Sequence, residues 1–162
     1  MEDYIPLELT YIVYKKNDLT GLLLGFSSLI PLTCFASLVT LFLYTKDTTI
    51  QYALLGFVCL EIINSILKYI LKQQRPEKSP ISGFGMPSDH SGLSFYIATS
   101  LVLTCKFSFS LNIVFVLVAS TVAYSRFYLH YHSLYQVLCG GCIGVLFGMI
   151  WWEIKNPLIL NF

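Results

Sequence analysis

The sequence predicts an all-α bundle of about five membrane-spanning helices, and two observations carry this prediction. Hydrophobic residues make up 56% of the 162 residues and charged residues only 12%, with a mean hydropathy of +0.69. This composition is more apolar than that of an ordinary soluble domain. The uncharged runs are also long, since residues 19–45 and 127–152 contain no Asp, Glu, Lys or Arg. Runs of this length are typical of helices that span a bilayer.

Five spans joined by polar or irregular segments account for most of the chain. The predicted spans are residues 20–45, 50–71, 88–105, 111–126 and 135–154. The loop at 72–87 carries three prolines and two glycines, so it should leave the bilayer without regular structure. Pro87, Ser88 and Asp89 supply a helix start signal for the third span, and the fifth ends at a tryptophan pair typical of the membrane interface. The whole chain, 1–162, is therefore interpreted as one membrane-embedded domain.

Several function classes find no support in the composition. The net charge is +1 and no tract of Lys and Arg stands out, so a nucleic-acid partner is not expected. The five cysteines lie in or beside apolar segments, and the C-x-x-C pair of Cys139 and Cys142 has no second pair that would indicate metal or redox chemistry. Gly140, Gly144 and Gly148 form a small-residue stripe that allows close helix packing. The stripe permits a homodimer without requiring one.

The predicted topology gathers the unusual polar residues at one membrane face. Five spans place the termini on opposite faces and bring together the 72–87 loop, the start of the third span and the 127–134 loop. Three lysines are expected at the opposite face: Lys46, Lys106 and Lys155. The positive-inside tendency makes that face cytosolic, so the polar face would be lumenal or exterior, although Lys15 and Lys16 argue for the reverse.

Three short clusters at the polar face combine cations, hydroxyls and histidines. They are Lys68 with Arg75, Ser88 with Asp89 and His90, and Ser125 with Arg126 and His132. A charge misplaced in hydrocarbon costs about 2.5 kcal/mol or more, so these side chains need partners. A phosphoryl group suits the set, because Arg, Lys, Ser and helix N-terminal amides all donate to its oxygens. Two histidines suggest one nucleophile and one proton donor, and composition alone does not assign the roles.

The same clusters occur in the order K-x6-R-P, P-S-x-H and S-R-x5-H, which resembles the three signature motifs of the type 2 phosphatidic acid phosphatase superfamily. Within that superfamily the dolichyl diphosphatase branch is the most similar. The stretches FGMPSDHS, YSRFYLHYHSLYQVLCGG and LTYIVY followed by DLTG carry this finer resemblance. The implied fold is the membrane helical bundle of that superfamily.

The resemblance implies a role for each residue that matches a motif. The expected phosphate ligands are Lys68, Arg75, Ser88, Ser125 and Arg126. His132 would be the nucleophile and form a phosphohistidine, while His90 donates a proton to the leaving group and later activates water. No metal or other cofactor is expected, because the cations supply the positive charge.

Two positions depart from the general pattern of the superfamily. Gln136 occupies a position where most members have an aspartate, and we expect it to accept a hydrogen bond from the far ring nitrogen of His132 and fix the tautomer. Asp89 occupies a position that usually holds glycine or serine. Its carboxylate should repel the phosphate unless it turns toward Arg75, Arg126 or His90.

Two further expectations concern residues around the motifs. Glu61 and Asn64 share a helical face with Lys68 and are expected to position its ammonium group. His130 lies in a tyrosine-rich loop, and we interpret it as an interfacial residue without a catalytic role. Taken singly, Lys68 and Arg126 could be snorkelling residues and Ser88 a helix cap.

The implied reaction is hydrolysis of dolichyl diphosphate to dolichyl phosphate and phosphate, which recycles the lipid carrier of protein N-glycosylation. The expected location is the endoplasmic reticulum membrane with the site facing the lumen, and the expected partners are the polyprenyl lipid and the bilayer. Three alternatives stay open: a phosphatase for another lipid phosphate or diphosphate, an inactive relative that binds lipid phosphates, and a transporter or channel. The last is disfavoured because the polar residues gather at one face.

Overall fold

A computed structural model describes residues 4–7, 12–105 and 107–159, and it contains two short strands followed by six helices. The elements are β1 (Tyr4–Leu7), β2 (Ile12–Lys15), α1 (Leu19–Ser27), α2 (Ile30–Thr45), α3 (Thr48–Leu71), α4 (Asp89–Thr104), α5 (Phe109–Tyr128) and α6 (Leu134–Ile159). The predicted helical class is confirmed. The antiparallel β1–β2 hairpin before the first helix was not predicted.

The first predicted span is not one continuous helix but the pair α1 and α2. Asp18 caps α1 by accepting a hydrogen bond of 2.8 Å from the backbone N–H of Gly21. The break follows at Ser28 and Leu29, whose N–H groups bond three residues back instead of four. Pro31 near the start of α2 has no N–H to continue the ladder, which explains the interruption.

The helices match the other predicted spans to within a few residues. Among the described residues, four segments are long and apolar enough to cross a membrane: Leu19–Thr45, Thr48–Leu71, Phe109–Tyr128 and Leu134–Ile154. The remaining predicted span corresponds to α4, which has 16 residues. At 1.5 Å per residue it is roughly 24 Å long, somewhat shorter than the usual hydrocarbon thickness. Its core-facing residues include Leu93, Tyr96 and Ala98.

Close packing between α4 and α6 uses the predicted glycine stripe. A methyl group at Gly140 would overlap the backbone of Ser88, and one at Gly144 would overlap the backbone of Gly92. Only glycine therefore allows the two helices to approach this closely. Because these glycines face α4 of the same chain, they do not offer a free surface to a second copy.

Helix directions place one end of the bundle around the predicted polar residues. The C-terminal ends of α3 and α5 meet the N-terminal ends of α4 and α6 at that end, beside the 72–87 loop. The connection containing Lys46 lies at the opposite end, as predicted. Lys106 and the side chain of Lys155 lie outside the described residues, so the prediction for them is not addressed.

Candidate phosphate site

The first cation of the site pairs with the acidic residue that begins α4. Lys68, in the last turn of α3, donates its ammonium protons to Asp89, and both side chains are about one-fifth exposed. The sequence left open whether Asp89 turns toward Arg75, Arg126 or His90, and in the structure it turns toward Lys68 instead. Helices α3 and α4 pack against each other, and Lys68 lies in the last turn of α3.

His132 is held by a backbone carbonyl in one defined tautomer. Its Nδ1 lies 2.8 Å from the carbonyl oxygen of Gly85, and a carbonyl oxygen only accepts hydrogen bonds. Nδ1 therefore carries the proton, and Nε2 keeps its lone pair. Arg75 donates from Nη1 to this Nε2 across 3.1 Å. A neutral imidazole of this kind can attack phosphorus through Nε2 once Arg75 moves aside.

Gln136 does not fix the His132 tautomer, and the expectation that it would was wrong. Its Nε2 donates to the backbone oxygen of Gln74 at 2.8 Å, and its Oε1 accepts the backbone N–H of Ser133 at 3.1 Å. Gly85 has no side chain and lies directly against the Gln136 amide. The peptide of Gly85 thus occupies the place next to His132, while Gln136 ties the 72–87 loop to the start of α6.

Burial and nearby cations keep the His132 ring neutral. The side chain is 3% exposed. Burial first, and then the positive charges of Arg75 and Arg126, lower the pKa of His132 from its ordinary value to about 3, although the Gly85 carbonyl opposes this shift. At neutral pH the imidazole is therefore unprotonated at Nε2.

Tyr131 holds both arginines of the site. The guanidinium of Arg126 is stacked on its ring, and its backbone carbonyl accepts a hydrogen bond of 2.8 Å from Arg75. The Tyr131 hydroxyl in turn accepts the backbone N–H of Val13 at 2.8 Å. Sequence reasoning missed this residue, because an aromatic residue beside a motif does not reveal where its ring points.

Three buried hydrogen-bond donors of the site have no partner among the described residues. They are the Ser88 hydroxyl, Arg75 Nε and Arg126 Nε. Leaving a buried donor unpaired costs about 1–3 kcal/mol, more for a charged group. Ser88 precedes α4 at the N-cap position, but its hydroxyl makes no cap bond, so capping does not explain it. Arg126 is 6% exposed and stacked, which excludes snorkelling. The arrangement suits an oxyanion that would accept from all three.

The remaining predicted ligands are less directly arranged. The Ser125 hydroxyl donates to the carbonyl of Val122 at 2.6 Å, so its proton is used within α5. The amide of Asn64 is fully buried, has no hydrogen-bond partner in the part of the chain that the structure describes, and lies against Gly92. Glu61 is exposed. Among the described side chains, Lys68 contacts Asp89 instead of Glu61 or Asn64, contrary to expectation.

The two other histidines differ in their surroundings. His90, the second residue of α4, is half-buried and lines a groove together with Asp89. His130 is exposed, adopts a left-handed conformation with φ of 59°, and borders a separate cavity with Lys15 and Lys78. This placement agrees with the interpretation of His130 as an interfacial residue.

Residues 49–159 match the family model of the PAP2 superfamily. The chain belongs to this superfamily. The match contains every predicted site residue from Glu61 to Gln136 and leaves out the N-terminal hairpin that contacts Tyr131. Together with the four described segments that are long and apolar enough to cross a membrane, it makes the chain a multi-pass membrane protein of the PAP2 superfamily.

Curated relatives cover nearly the whole chain. Dolichyldiphosphatase 1 of Dictyostelium discoideum is 33% identical over 96% of this chain and 77% of its own length. Dolichyldiphosphatase of Saccharomyces cerevisiae is 33% identical over 93% of this chain and 70% of its own length. Lipid phosphate phosphatase gamma of Arabidopsis thaliana is 32% identical over 99% of this chain and 80% of its own length. The resemblance to the dolichyl diphosphatase branch of the PAP2 superfamily is thus confirmed.

The fold also matches a solved structure. The crystal structure of LpxE from Aquifex aeolicus superposes with a TM-score of 0.73, covering 85% of this chain and 88% of that chain at 22% sequence identity. A superposition of this quality shows that the fold is shared, and at 22% sequence identity it does not show the substrate.

Proposed function

We propose that this protein is a membrane-embedded phosphatase that hydrolyses dolichyl diphosphate to dolichyl phosphate and inorganic phosphate. The names of the two dolichyldiphosphatase relatives support the substrate. One observation carries the chemistry: the Nε2 lone pair of a buried, neutral His132 lies beside Arg75, and the Nε donors of Arg75 and Arg126 have no partner among the described residues. The protein acts as one domain that includes the hairpin and the helical bundle.

In the first step, His132 Nε2 attacks the terminal phosphorus in line with the bridging oxygen. The N–P bond forms and the bond from phosphorus to the bridging oxygen breaks. His90 gives its proton to that oxygen, and dolichyl phosphate leaves. In the second step the oxygen of a water molecule bonds to phosphorus while the N–P bond to His132 Nε2 breaks. His90 accepts a proton from the water, and inorganic phosphate is released.

Arg75 has two partners in the proposed mechanism, the Nε2 atom of His132 and the phosphate of the substrate. Arg75 Nη1 occupies the lone pair of Nε2, and an incoming phosphoryl group would compete for the same donor. Moving Arg75 to the phosphate would free Nε2 and neutralise the oxyanion in one event. Arg126, Ser88 and Lys68 would complete the cradle, with preorganised donors that stabilise the charge developing on the equatorial oxygens.

The proposed location is the endoplasmic reticulum membrane, with the site at the lumenal face. The dolichyldiphosphatase relatives support this compartment, and the exposed Lys46 at the opposite end supports a cytosolic position for that end. Lys15 and Lys16 remain on the site face and oppose the assignment. A homodimer is not part of the proposal, because the glycine stripe is occupied by α4.

The test is phosphate release from dolichyl diphosphate by detergent-purified protein. His132→Ala should abolish release, while His130→Asn, a change in the neighbouring exposed histidine whose left-handed backbone Asn tolerates, should leave it unchanged. A ³²P label on the terminal phosphate should appear on the parent protein and be absent from His132→Ala. Turnover of phosphatidic acid in preference to dolichyl diphosphate would contradict the proposed substrate. The absence of turnover for every lipid phosphate would contradict the proposed phosphatase activity.

A further inference from the structure

Two apolar grooves run along the outside of the helical bundle. The first, here called the His90 groove, lies between α2, α3 and α4 and encloses about 400 Å³. The second, here called the Cys142 groove, lies between α4, α5 and α6 and encloses about 590 Å³. Each is large enough for part of a lipid chain, and their walls come from helices that would face the bilayer.

Of these two grooves among the described residues, the His90 groove is the one that borders the phosphate site. Asp89 and His90 line it, and Asp89 pairs with Lys68 at its rim. The residues that line the larger Cys142 groove include none of the side chains assigned to the phosphate. A chain lying in the Cys142 groove would therefore meet α4 beside Ser91, without a lining residue that can act on the bridging oxygen.

The direction of the displacement decides which groove the lipid uses. In an in-line displacement the nucleophile and the leaving oxygen lie on opposite sides of the phosphorus. His132 is the nucleophile in the proposed function, and His90 protonates the leaving oxygen. The lipid is attached to that oxygen, so its chain must depart on the side of His90.

We propose that the His90 groove binds the isoprenoid chain of the substrate. This inference rests on the proposed function, because the roles of His132 and His90 define the direction of departure. The groove walls suit such a chain: Leu32 is 64%, Val58 41% and Ile62 54% exposed, and Val58 and Ile62 are one helical turn apart on α3. The chain would follow this α3 face away from the phosphate site.

The lining of the groove suits an uncharged chain. Apart from Glu61, Asp89 and His90, every residue that lines it is apolar. Glu61 lies on α3 seven residues before Lys68, about 10 Å along the helix from it. The groove therefore suits an uncharged hydrocarbon chain beyond the diphosphate.

Narrowing the groove tests the assignment. Val58→Trp and Ile62→Trp each add a large ring to an exposed helix face, so folding should be retained. Leu146→Trp is the matched control, because Leu146 is 59% exposed and lines the Cys142 groove. Each variant and the parent are assayed in detergent with a long polyprenyl diphosphate and with isopentenyl diphosphate, whose chain is too short to occupy the groove.

The expected result is a KM for the long substrate that rises roughly tenfold in Val58→Trp and Ile62→Trp, with unchanged kcat/KM for isopentenyl diphosphate. Leu146→Trp should match the parent on both substrates. The assignment is overturned if Leu146→Trp alone impairs turnover of the long substrate. It is also overturned if the two α3 variants impair turnover of both substrates equally, or of neither. A parent without activity on either diphosphate would instead contradict the proposed function itself.

Discussion

The guanidinium carbon of Arg126 lies 3.9 Å from the centre of the Tyr131 ring. Arg126 is buried, and the ring face supplies the negative electrostatic potential that partly offsets the loss of water around its charge. The same tyrosine binds Arg75 through its carbonyl and the N-terminal hairpin through its hydroxyl. One residue, through its ring, its hydroxyl and its backbone carbonyl, thus connects both arginines of the phosphate site to a segment outside the matched PAP2 region.

Replacing Tyr131 separates the role of its ring from that of its hydroxyl. Tyr131→Leu should lower kcat/KM by roughly thirtyfold, because a desolvated cation–π contact contributes about 2 kcal/mol. Tyr131→Phe keeps the ring and should stay within about threefold of the parent. The inhibition constant of inorganic phosphate should rise in Tyr131→Leu alone. Tyr135→Leu, at an exposed tyrosine four residues away, is the control; equal losses in Tyr131→Phe and Tyr131→Leu would contradict a role for the stack.

Asp89 pairs with Lys68, which the proposed function assigns to the substrate phosphate. We expect Asp89→Ser and the isosteric Asp89→Asn to raise kcat/KM or leave it unchanged, with a gain of roughly two- to fivefold at most, since a partly exposed ion pair contributes about 0.5–1 kcal/mol. Steady-state kinetics on dolichyl diphosphate measures the change. Glu153→Gln removes one exposed carboxylate at the other end of the bundle and should have no effect. Loss of activity in both Asp89 variants would instead give this residue an orienting role.

The sequence predicted well those features that depend on hydrophobic patterning. It predicted less well the features that depend on the path of the backbone. Long uncharged runs predicted the helices, and the order of the motifs along the predicted spans predicted that Arg75, Arg126 and His132 lie together. The acceptor for His132 was mispredicted, because every residue type carries a carbonyl and only the path of the 72–87 loop shows that Gly85 supplies it. The break before Pro31 was also missed, since the run remains apolar across it.

Gln136 should matter for stability more than for the chemistry of His132. Gln136→Leu leaves the N–H of Ser133 and the carbonyl of Gln74 without their partner, which should cost about 2–3 kcal/mol. The thermal midpoint of Gln136→Leu should therefore fall by roughly 4–12 °C. The pH profile of kcat/KM should not move, because Gly85 fixes the tautomer. Gln51→Leu at an exposed position is the control, and a displaced pH profile in Gln136→Leu would argue for direct contact with His132.

The buried neutral His132 should make the fold less stable as the pH falls. Its folded pKa of about 3 lies below the ordinary value of about 6.5, so the unfolded chain binds more protons between these values and stability rises with pH across that window. A pH of about 5 is about 1.5 units below the ordinary pKa of the imidazole. At about 1.36 kcal/mol per unit, the free energy of unfolding at this pH is lower by about 2 kcal/mol.

This pH dependence can be measured as the difference in thermal midpoint between about pH 7.5 and about pH 5 in detergent. The parent should lose roughly 4–8 °C from His132 alone, and His132→Gln should lack this part of the decrease, because glutamine does not titrate. His130→Asn, at an exposed position, should keep the parental decrease because it leaves His132 and its arginine neighbours in place. If His132→Gln shows the same decrease as the parent, then His132 is not held neutral by burial and its arginine neighbours, and a nucleophile that is ready at every physiological pH loses its physical basis.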